Sequence, residues 1–376
     1  YINDLFGLEE GDKILRYIAD ILKSITAENG VCGRVGGDIF CICMAYEHAA
    51  ELKKVTTAIT QKISEYNLGY RITPYFGICR VEDRNIPVSI LCDWAHLALK
   101  TIKGNMLTNA AYYDDELRAR QLQERKIEEE MERALEEKQF EIYFQPKYQI
   151  ETGKIIGTEA LVRWNHPQDG IVLPNSFIPL FESNGFIIRL DEYVWDETFR
   201  MLREWIDKGH KPVPISVNVS RIHIYNSEFL NKLIELTKKY RLPQNLVELE
   251  LTESTFVDNQ DELYSTLEGL QKKGLNFSID DFGSGYSSLN MLRNSTAEIL
   301  KLDREFLSAT ADDEKAQAVV RHTISMANEL NMQVVAEGVE TKGQADFLKS
   351  AGCLAAQGYF YSKPMPISEF EELMIY

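Results

Sequence analysis

Two adjacent carboxylates, Asp280 and Asp281, leave an apolar run and enter a loop of small residues that includes Gly283, Ser284 and Gly285. Ionised acids side by side repel, and the pattern suits a divalent cation, or two, held between these groups and their neighbours. If the run is a strand, Asn276, Ser278 and Asp280 share one face and Phe277 and Ile279 the other. Asp280 then closes the polar face and Asp281 starts the loop. The plain alternative is a turn in which Asp281 caps the backbone near Gly283 and Gly285.

Similar polar residues recur at the ends of β-like runs. Glu159 follows Ile155–Thr158, Asn218 follows Ile215–Val217, and Glu250 follows Val247–Leu249. Lys301 follows Ile299-Leu300, Glu337 follows Val334–Ala336, and Gln357 precedes Gly358-Tyr359-Phe360. Most intervals are close to the roughly 30 residues or more of a strand-helix-strand unit. One candidate per unit is what a parallel barrel needs to gather a site at the carboxyl ends of its strands. Taken singly, each residue has an ordinary explanation. Glu159 can pair with Arg163 on the same strand face, Asn218 can satisfy buried backbone, and Lys301 can neutralise a neighbouring acid. Taken together, separate burial of four carboxylates, an amide and a lysine is costly, and one shared metal site explains them all. The six histidines and six cysteines form no cluster or C-x-x-C pair, so the donors are oxygens and the ions magnesium or manganese rather than zinc.

The elements that must position these groups occupy a chain of 376 residues, long enough for two domains. Its 44% hydrophobic and 26% charged content is that of a globular protein, and no apolar run reaches the roughly 18 residues of a membrane span. A formal charge of −17 has the wrong sign for tracking DNA or RNA. The cysteine pattern points to reduced thiols and a cytoplasmic location. Tyr1 opens without a Met, so the chain reads as a fragment whose upstream part is free to hold a sensor or membrane anchor.

Residues 1–113 form the expected first domain. Ile14, Leu15, Ile18, Ile21, Leu22 and Ile25 have the spacing of an amphipathic helix, and Val31–Tyr46 reads as two strands about Gly36-Gly37-Asp38. Residues 114–138 contain no Gly or Pro, pair Glu116 with Arg120 and Glu129 with Arg133, and predict a solvated connector helix with only a partial apolar stripe. Residues 139–376 carry the alternating strand and helix patterns.

The first domain resembles the GGDEF domain of bacterial diguanylate cyclases. The signature stands as Arg34-Val35-Gly36-Gly37-Asp38-Ile39-Phe40, flanked by Asn3, Asp12 and Lys100. The resemblance implies a cyclase-like α/β sandwich, truncated at its start. It also implies lost cyclase chemistry: Ile39 replaces a metal-holding acid, the other metal aspartate falls before Tyr1, and Gly104 stands where an arginine is expected. The family's inhibitory site is missing too, since its Arg-x-x-Asp falls at Ala27 and Gly30. Asn3 and Asp12 stand where the family holds a guanine base, which leaves GTP open as a ligand.

The second domain resembles the EAL family of cyclic di-GMP phosphodiesterases along its whole length. The matching runs are Glu159-Ala160-Leu161-Val162-Arg163-Trp164, Asn218-Val219-Ser220, Glu250-Leu251-Thr252-Glu253, Asp280-Asp281-Phe282-Gly283, Leu300-Lys301-Leu302-Asp303, Ala336-Glu337-Gly338-Val339-Glu340 and Gln357-Gly358-Tyr359. The departures, Leu354 and Asn294-Ser295, touch none of the metal residues. The resemblance implies a TIM-like (β/α)8 barrel with an antiparallel first strand at Ile142–Gln145. It implies hydrolysis of cyclic di-GMP to linear pGpG with two divalent cations, Mg2+ or Mn2+. Glu159, Asn218, Glu250 and Asp280 would hold the first ion, with Asp280 bridging to the second and Asp281 serving it. Lys301 would orient the nucleophilic water and offset developing charge, and Glu337 would be the general base. Arg163 would meet a phosphate oxygen, Gln145 the guanine edge and Gln357 the substrate, while Glu253 would support the loop after Asp281. A non-hydrolysing cyclic di-GMP receptor signalling through the connector is the rival reading, and a homodimer through the barrel domain stays open.

Overall fold

The computed structural model describes residues 6–66, 69, 72–103, 108–225, 229–256, 260–283, 289–308 and 313–374. The chain divides into two compact units, Tyr1–Lys126 and Ile127–Tyr376.

The first unit contains α1 (Leu8–Thr26), β1 (Gly30–Gly36), β2 (Ile39–Met44), α2 (Ala49–Ser64), β3 (Phe76–Cys79), α3 (Val88–Lys100) and β4 (Ala110–Tyr113). The apolar repeat of α1 buries Ile21 and Leu22 against Ile59 and Ile63 of α2, which excludes water from one small core. β1 and β2 form an antiparallel hairpin, whereas β3 and β4 form a separate parallel pair. The hairpin reverses at Gly37, whose φ of 55° is a left-handed conformation that costs glycine little.

Helix α4 (Asp115–Glu136) begins in the first unit and ends in the second. Its second half departs from the solvated connector that its composition predicts. Ile127 and Ala134 are buried in the core of the second unit, with Met131 and Leu135 packed against that core. These positions lie at i, i+4, i+7 and i+8, one face of a helix, so a stripe too short for a coiled coil still docks on a barrel. Glu130 adds a 2.7 Å contact to His166 Nε2.

The second unit continues with β5 (Phe140–Gln149), β6 (Ile155–His166), β7 (Gly170–Val172), α5 (Ile178–Asn184), α6 (Ile187–Asp207), β8 (Ile215–Asn218), α7 (Phe229–Lys239), β9 (Val247–Thr252) and α8 (Gln260–Lys272). It ends with β10 (Asn276–Phe282), α9 (Leu289–Asn294), β11 (Ile299–Leu302), α10 (Arg304–Ser308), α11 (Glu314–Glu329), β12 (Gln333–Ala336), α12 (Lys342–Ser350), β13 (Ala355–Ala356), β14 (Met365–Pro366) and α13 (Ile367–Met374). Strands β5, β6, β8, β9, β10, β11, β12 and β13 close into a barrel through the β5–β6 pairing. The first strand, β5, is antiparallel to both its barrel neighbours, β6 and β13, and also to β14, and is longer than the sequence predicts. Strand alternation separates two interiors. Leu249, Leu251, Phe277 and Ile279 belong to the apolar core, each 1% exposed or less. Glu248, Glu250, Ser278 and Asp280 take the alternate positions, and β9 and β10 align Glu250 with Ser278.

Candidate active site

Strand register gathers the polar side chains. β5 sets Gln145 opposite Glu159, and β8 sets Asn218 opposite Glu250. Glu159 is not at a strand end, because β6 runs on to His166 and forms a hairpin with β7. β6 pairs with β8 only from Thr158 to Ala160, so Glu159 still lies where the barrel's polar layer forms.

Lys301 is the centre of that layer. Its Nζ lies 2.6 Å from Glu250 Oε2, 2.7 Å from Glu337 Oε1, 3.0 Å from Asp280 Oδ2 and 3.5 Å from Glu159 Oε2. With 1% of its side chain exposed, an unpaired ammonium would be strongly penalised. Burial works against its charge, and the surrounding carboxylates, Asp280 first among them, reverse the balance and hold its pKa well above the ordinary value. The ion pair with Arg163, the alternative reading of Glu159, does not form. Glu159 accepts instead from Asn218 Nδ2 at 3.1 Å and Gln357 Nε2 at 2.7 Å.

The carboxylates titrate apart. Burial pushes Glu159 up to about 7, with the charge of Glu250 adding to it, and burial pushes Asp280 up to about 6. Burial also raises Glu337 well above the usual carboxylate range despite Lys301. Glu250 is desolvated as well, but Lys147 and Lys301 outweigh that effect and hold it well below that range.

Asp281 does not simply begin a loop, as alternation predicts. Strand β10 continues to Phe282, and its pairing with β11 shifts between Ile279 and Phe282. Three steps along β10 match two along β11, which is a β-bulge, and Asp281 has a φ of 56°. Regular alternation would send neighbouring acids to opposite faces. The bulge instead brings oxygens of Asp280, Asp281 and Glu337 within 4.8 Å of one another. The Asp281 N–H donates to Asp280 Oδ1, and Glu253 accepts the N–H of Gly283 at 3.2 Å.

Oxygens of Glu159, Glu250 and Asp280 form another group of the same compactness, so Asp280 belongs to both. Four of the five carboxylates in these groups contact Lys301, and Glu250 contacts Lys147 as well, so formal negative charge is in excess. Two all-oxygen donor sets sharing one carboxylate fit a pair of hard divalent cations.

Above this layer lies a cavity of about 940 Å3 whose lining includes Gln145, Glu159, Asn218, Asp280, Asp281, Glu337 and Gln357. Gln145 donates to Ser362 O and accepts from Gln357, and Gln357 Oε1 is buried with no hydrogen-bond partner among the described residues. Arg163 is not in the lining. It donates to Val162 O and stacks over the Tyr143 ring. Arg221 and Arg304 do line the cavity and were not singled out from sequence. The signal for Arg304 was its place directly after Leu300-Lys301-Leu302-Asp303. Lys147 was missed as well, although a lysine two positions after Gln145 in a β-like run shares its strand face.

In the first unit Gly36, Gly37, Asp38 and Ile39 are exposed in the hairpin, Phe40 is half-buried, and Asp12 is exposed on α1. Asn3 and Gly104 lie outside the described residues. Among the described residues, both acidic groups able to hold an ion belong to the barrel.

The EAL domain profile matches residues 128–364, and the profile for the diguanylate cyclase GGDEF domain matches residues 1–108. The chain is 32% identical over 372 residues to the bifunctional diguanylate cyclase/cyclic di-GMP phosphodiesterase MucR of Pseudomonas aeruginosa, covering 98% of this chain and 54% of MucR. It is 33% identical over 377 residues to the cyclic di-GMP phosphodiesterase NbdA of the same organism, covering 99% of this chain and 48% of NbdA. The chain thus spans about half the length of these curated relatives. A solved structure described as PaMucR phosphodiesterase in complex with c-di-GMP matches with a TM-score of 0.63 and 38% identity, over 65% of this chain and 99% of that one. With its acidic barrel site and these matches in agreement, the chain belongs to the EAL domain family and carries a GGDEF domain ahead of the barrel.

Proposed function

We propose that the barrel hydrolyses one phosphodiester of cyclic di-GMP to give linear pGpG, using two divalent cations, Mg2+ or Mn2+. The observation that carries this reading is the pair of carboxylate groups sharing Asp280 at the base of the cavity. The cyclic di-GMP named for MucR, NbdA and the PaMucR complex supplies the substrate class. Glu159, Asn218, Glu250 and Asp280 would hold one cation, and Asp280 and Asp281 would hold the other, with an oxygen of Glu337 close beside them. When bound, such cations neutralise charge on the phosphoryl oxygens and lower the pKa of water.

The chain's own residues do the rest. Glu337 takes a proton from the attacking water as the new P–O bond forms and one ester P–O bond breaks, and the departing ribose oxygen, which stays part of linear pGpG, takes up a proton from solvent. Lys301 at 2.7 Å fixes the Glu337 carboxylate and offsets charge developing beside it. Gln145 and Gln357, locked to each other at 2.9 Å, present amide groups to a guanine edge. Arg221 and Arg304 supply cationic guanidinium groups to the phosphates, a role that sequence had given to Arg163. Glu253 steadies the turn after Asp281 through the Gly283 N–H.

The GGDEF domain has no cyclase activity in this reading, because Ile39 offers no oxygen to an ion, and it serves a structural or regulatory role. The deciding experiment incubates the chain with cyclic di-GMP and Mg2+ or Mn2+ and looks for pGpG, which chelation should abolish. Binding of the dinucleotide without pGpG would overturn hydrolysis in favour of a receptor.

A further inference from the structure

Lys147 has no part in the chemistry above, yet it is buried in the barrel, with 5% of its side chain exposed. Its Nζ lies 2.9 Å from Glu250 Oε1 and 3.1 Å from Glu248 Oε1. The other oxygen of Glu250 lies 2.6 Å from Lys301 Nζ. Each oxygen of Glu250 is therefore held by a different ammonium, and rotation of that carboxylate breaks one charged hydrogen bond or the other. A second cavity of about 180 Å3, lined by Lys147 and Glu248 together with apolar residues such as Ile156, Val247 and Val335, leaves open space beside the lysine on that side. Charge holds it: Glu248 anchors Lys147, and Lys147 holds Glu250.

We propose that Lys147 is a positioning residue for the ion site, fixing Glu250 so that Oε2 is turned toward Lys301, Glu159 and Asp280 and thereby setting the affinity for divalent cations. The proposal rests on the two-cation reading above. Loss of Lys147 leaves Glu248 and Glu250 on one strand face without the cation they share, and their repulsion turns Glu250 away from the ligand set. Loss of a group that orients a metal ligand typically costs about 10- to 100-fold in metal affinity.

The test titrates Mn2+ alone into the full chain and its Lys147→Met, Lys147→Arg and Glu248→Gln variants by calorimetry, with thermal unfolding recorded alongside. Lys147→Met should bind Mn2+ about tenfold or more weakly. Lys147→Arg should return most of the affinity, and Glu248→Gln, which keeps the lysine but removes its anchor, should fall between. A role confined to fold stability would lower the unfolding temperature and leave Mn2+ affinity intact, and that result for Lys147→Met overturns the proposal. If Lys147→Met does not fold, Glu248→Gln decides, and unchanged affinity there overturns it equally. Wild-type chain that binds no Mn2+ would overturn the two-cation reading and this proposal together, whereas wild-type binding matched by Lys147→Met overturns this proposal alone.

Discussion

Lys301 Nζ and Glu337 Oε1 stand 2.7 Å apart, joining a side chain 1% exposed to one 19% exposed. The buried ammonium holds the carboxylate from behind while part of Glu337 stays open to the cavity. Glu337→Ala and Glu159→Ala should therefore fail differently. Loss of a proton acceptor typically costs about 10²–10⁴-fold in rate, so Glu337→Ala should lose turnover while retaining most bound Mn2+. Glu159→Ala should lose Mn2+ first. Metal occupancy and single-turnover rate, measured on both, check this, and equal metal loss would make Glu337 chiefly a ligand.

Lys301→Met should destabilise the chelated protein by about 3–5 kcal/mol, because it strips a buried cluster of acids of its central cation. Added Mn2+ should recover much of that loss in this variant by binding the folded state. Tryptophan fluorescence during thermal unfolding is a suitable readout, since Trp164, Trp195 and Trp205 are all buried in the barrel's core.

Gly358→Ala should be poorly tolerated. A Cβ there would lie 2.3 Å from both Val339 N and Val339 O, and backbone cannot step aside as a flexible side chain can. The strain falls on the Val339 N–H to Gln357 O bond, two residues along the chain from Glu337. Overpacking of this kind typically costs about 1–3 kcal/mol or more. Denaturant unfolding and pGpG production should decline together.

Thiol chemistry offers a pH-dependent check. Burial, then the contact with Cys92, pushes Cys41 up to about 11, and burial pushes Cys353 up to about 12. Only the thiolate alkylates, so iodoacetamide should label both sites slowly at neutral pH and roughly tenfold faster for each unit by which the pH is raised toward those values. Peptide mapping by mass spectrometry would show it. Fast labelling of Cys41 at neutral pH would contradict its half-buried setting against Cys92.

The chain should make no cyclic di-GMP from GTP and Mg2+. Ile39 stands exposed beside the Gly37 turn without an oxygen donor. Titrating GTP at fixed Mg2+ while following its binding and pGpG production separates the remaining roles. Binding with a changed rate marks a regulator, binding without one a vestigial pocket, and no binding at millimolar GTP a structural domain.

The barrel and most of its acidic interior were legible in the chain, because one polar residue per strand-helix unit leaves a periodic trace. The antiparallel first strand came from family resemblance, since antiparallel pairing has no local signature at Ile142–Gln145. The bulge at Asp281 was not legible: alternation cannot announce the residue at which it stops. The setting of Arg163 was not legible either, as a strand position does not reveal that a guanidinium folds back onto Val162 O and Tyr143. The docked half of α4 was hidden because Ile127, Met131, Ala134 and Leu135 are few, and only the surface that receives them shows their purpose.

The pairing of β5 with β13 has a consequence for how the protein comes into being. The hydrogen bond from Gln357 to Gln145 joins residues 212 positions apart, so the ring of strands shuts only after nearly all of the barrel sequence exists. Contacts so distant along the chain form slowly, because a long loop must be ordered before they reward it. Synthesis at about 5–20 residues per second leaves Glu159, Glu250, Asp280 and Lys301 waiting in an open sheet, with water reaching acids that later lie dry. Throughout that interval the nascent chain holds most of its charged cluster without Glu337 or Gln357, and the edges that will become the seam stay unpaired and prone to sticking. The last barrel strand to arrive is thus what brings Gln357 against Gln145 and Glu159.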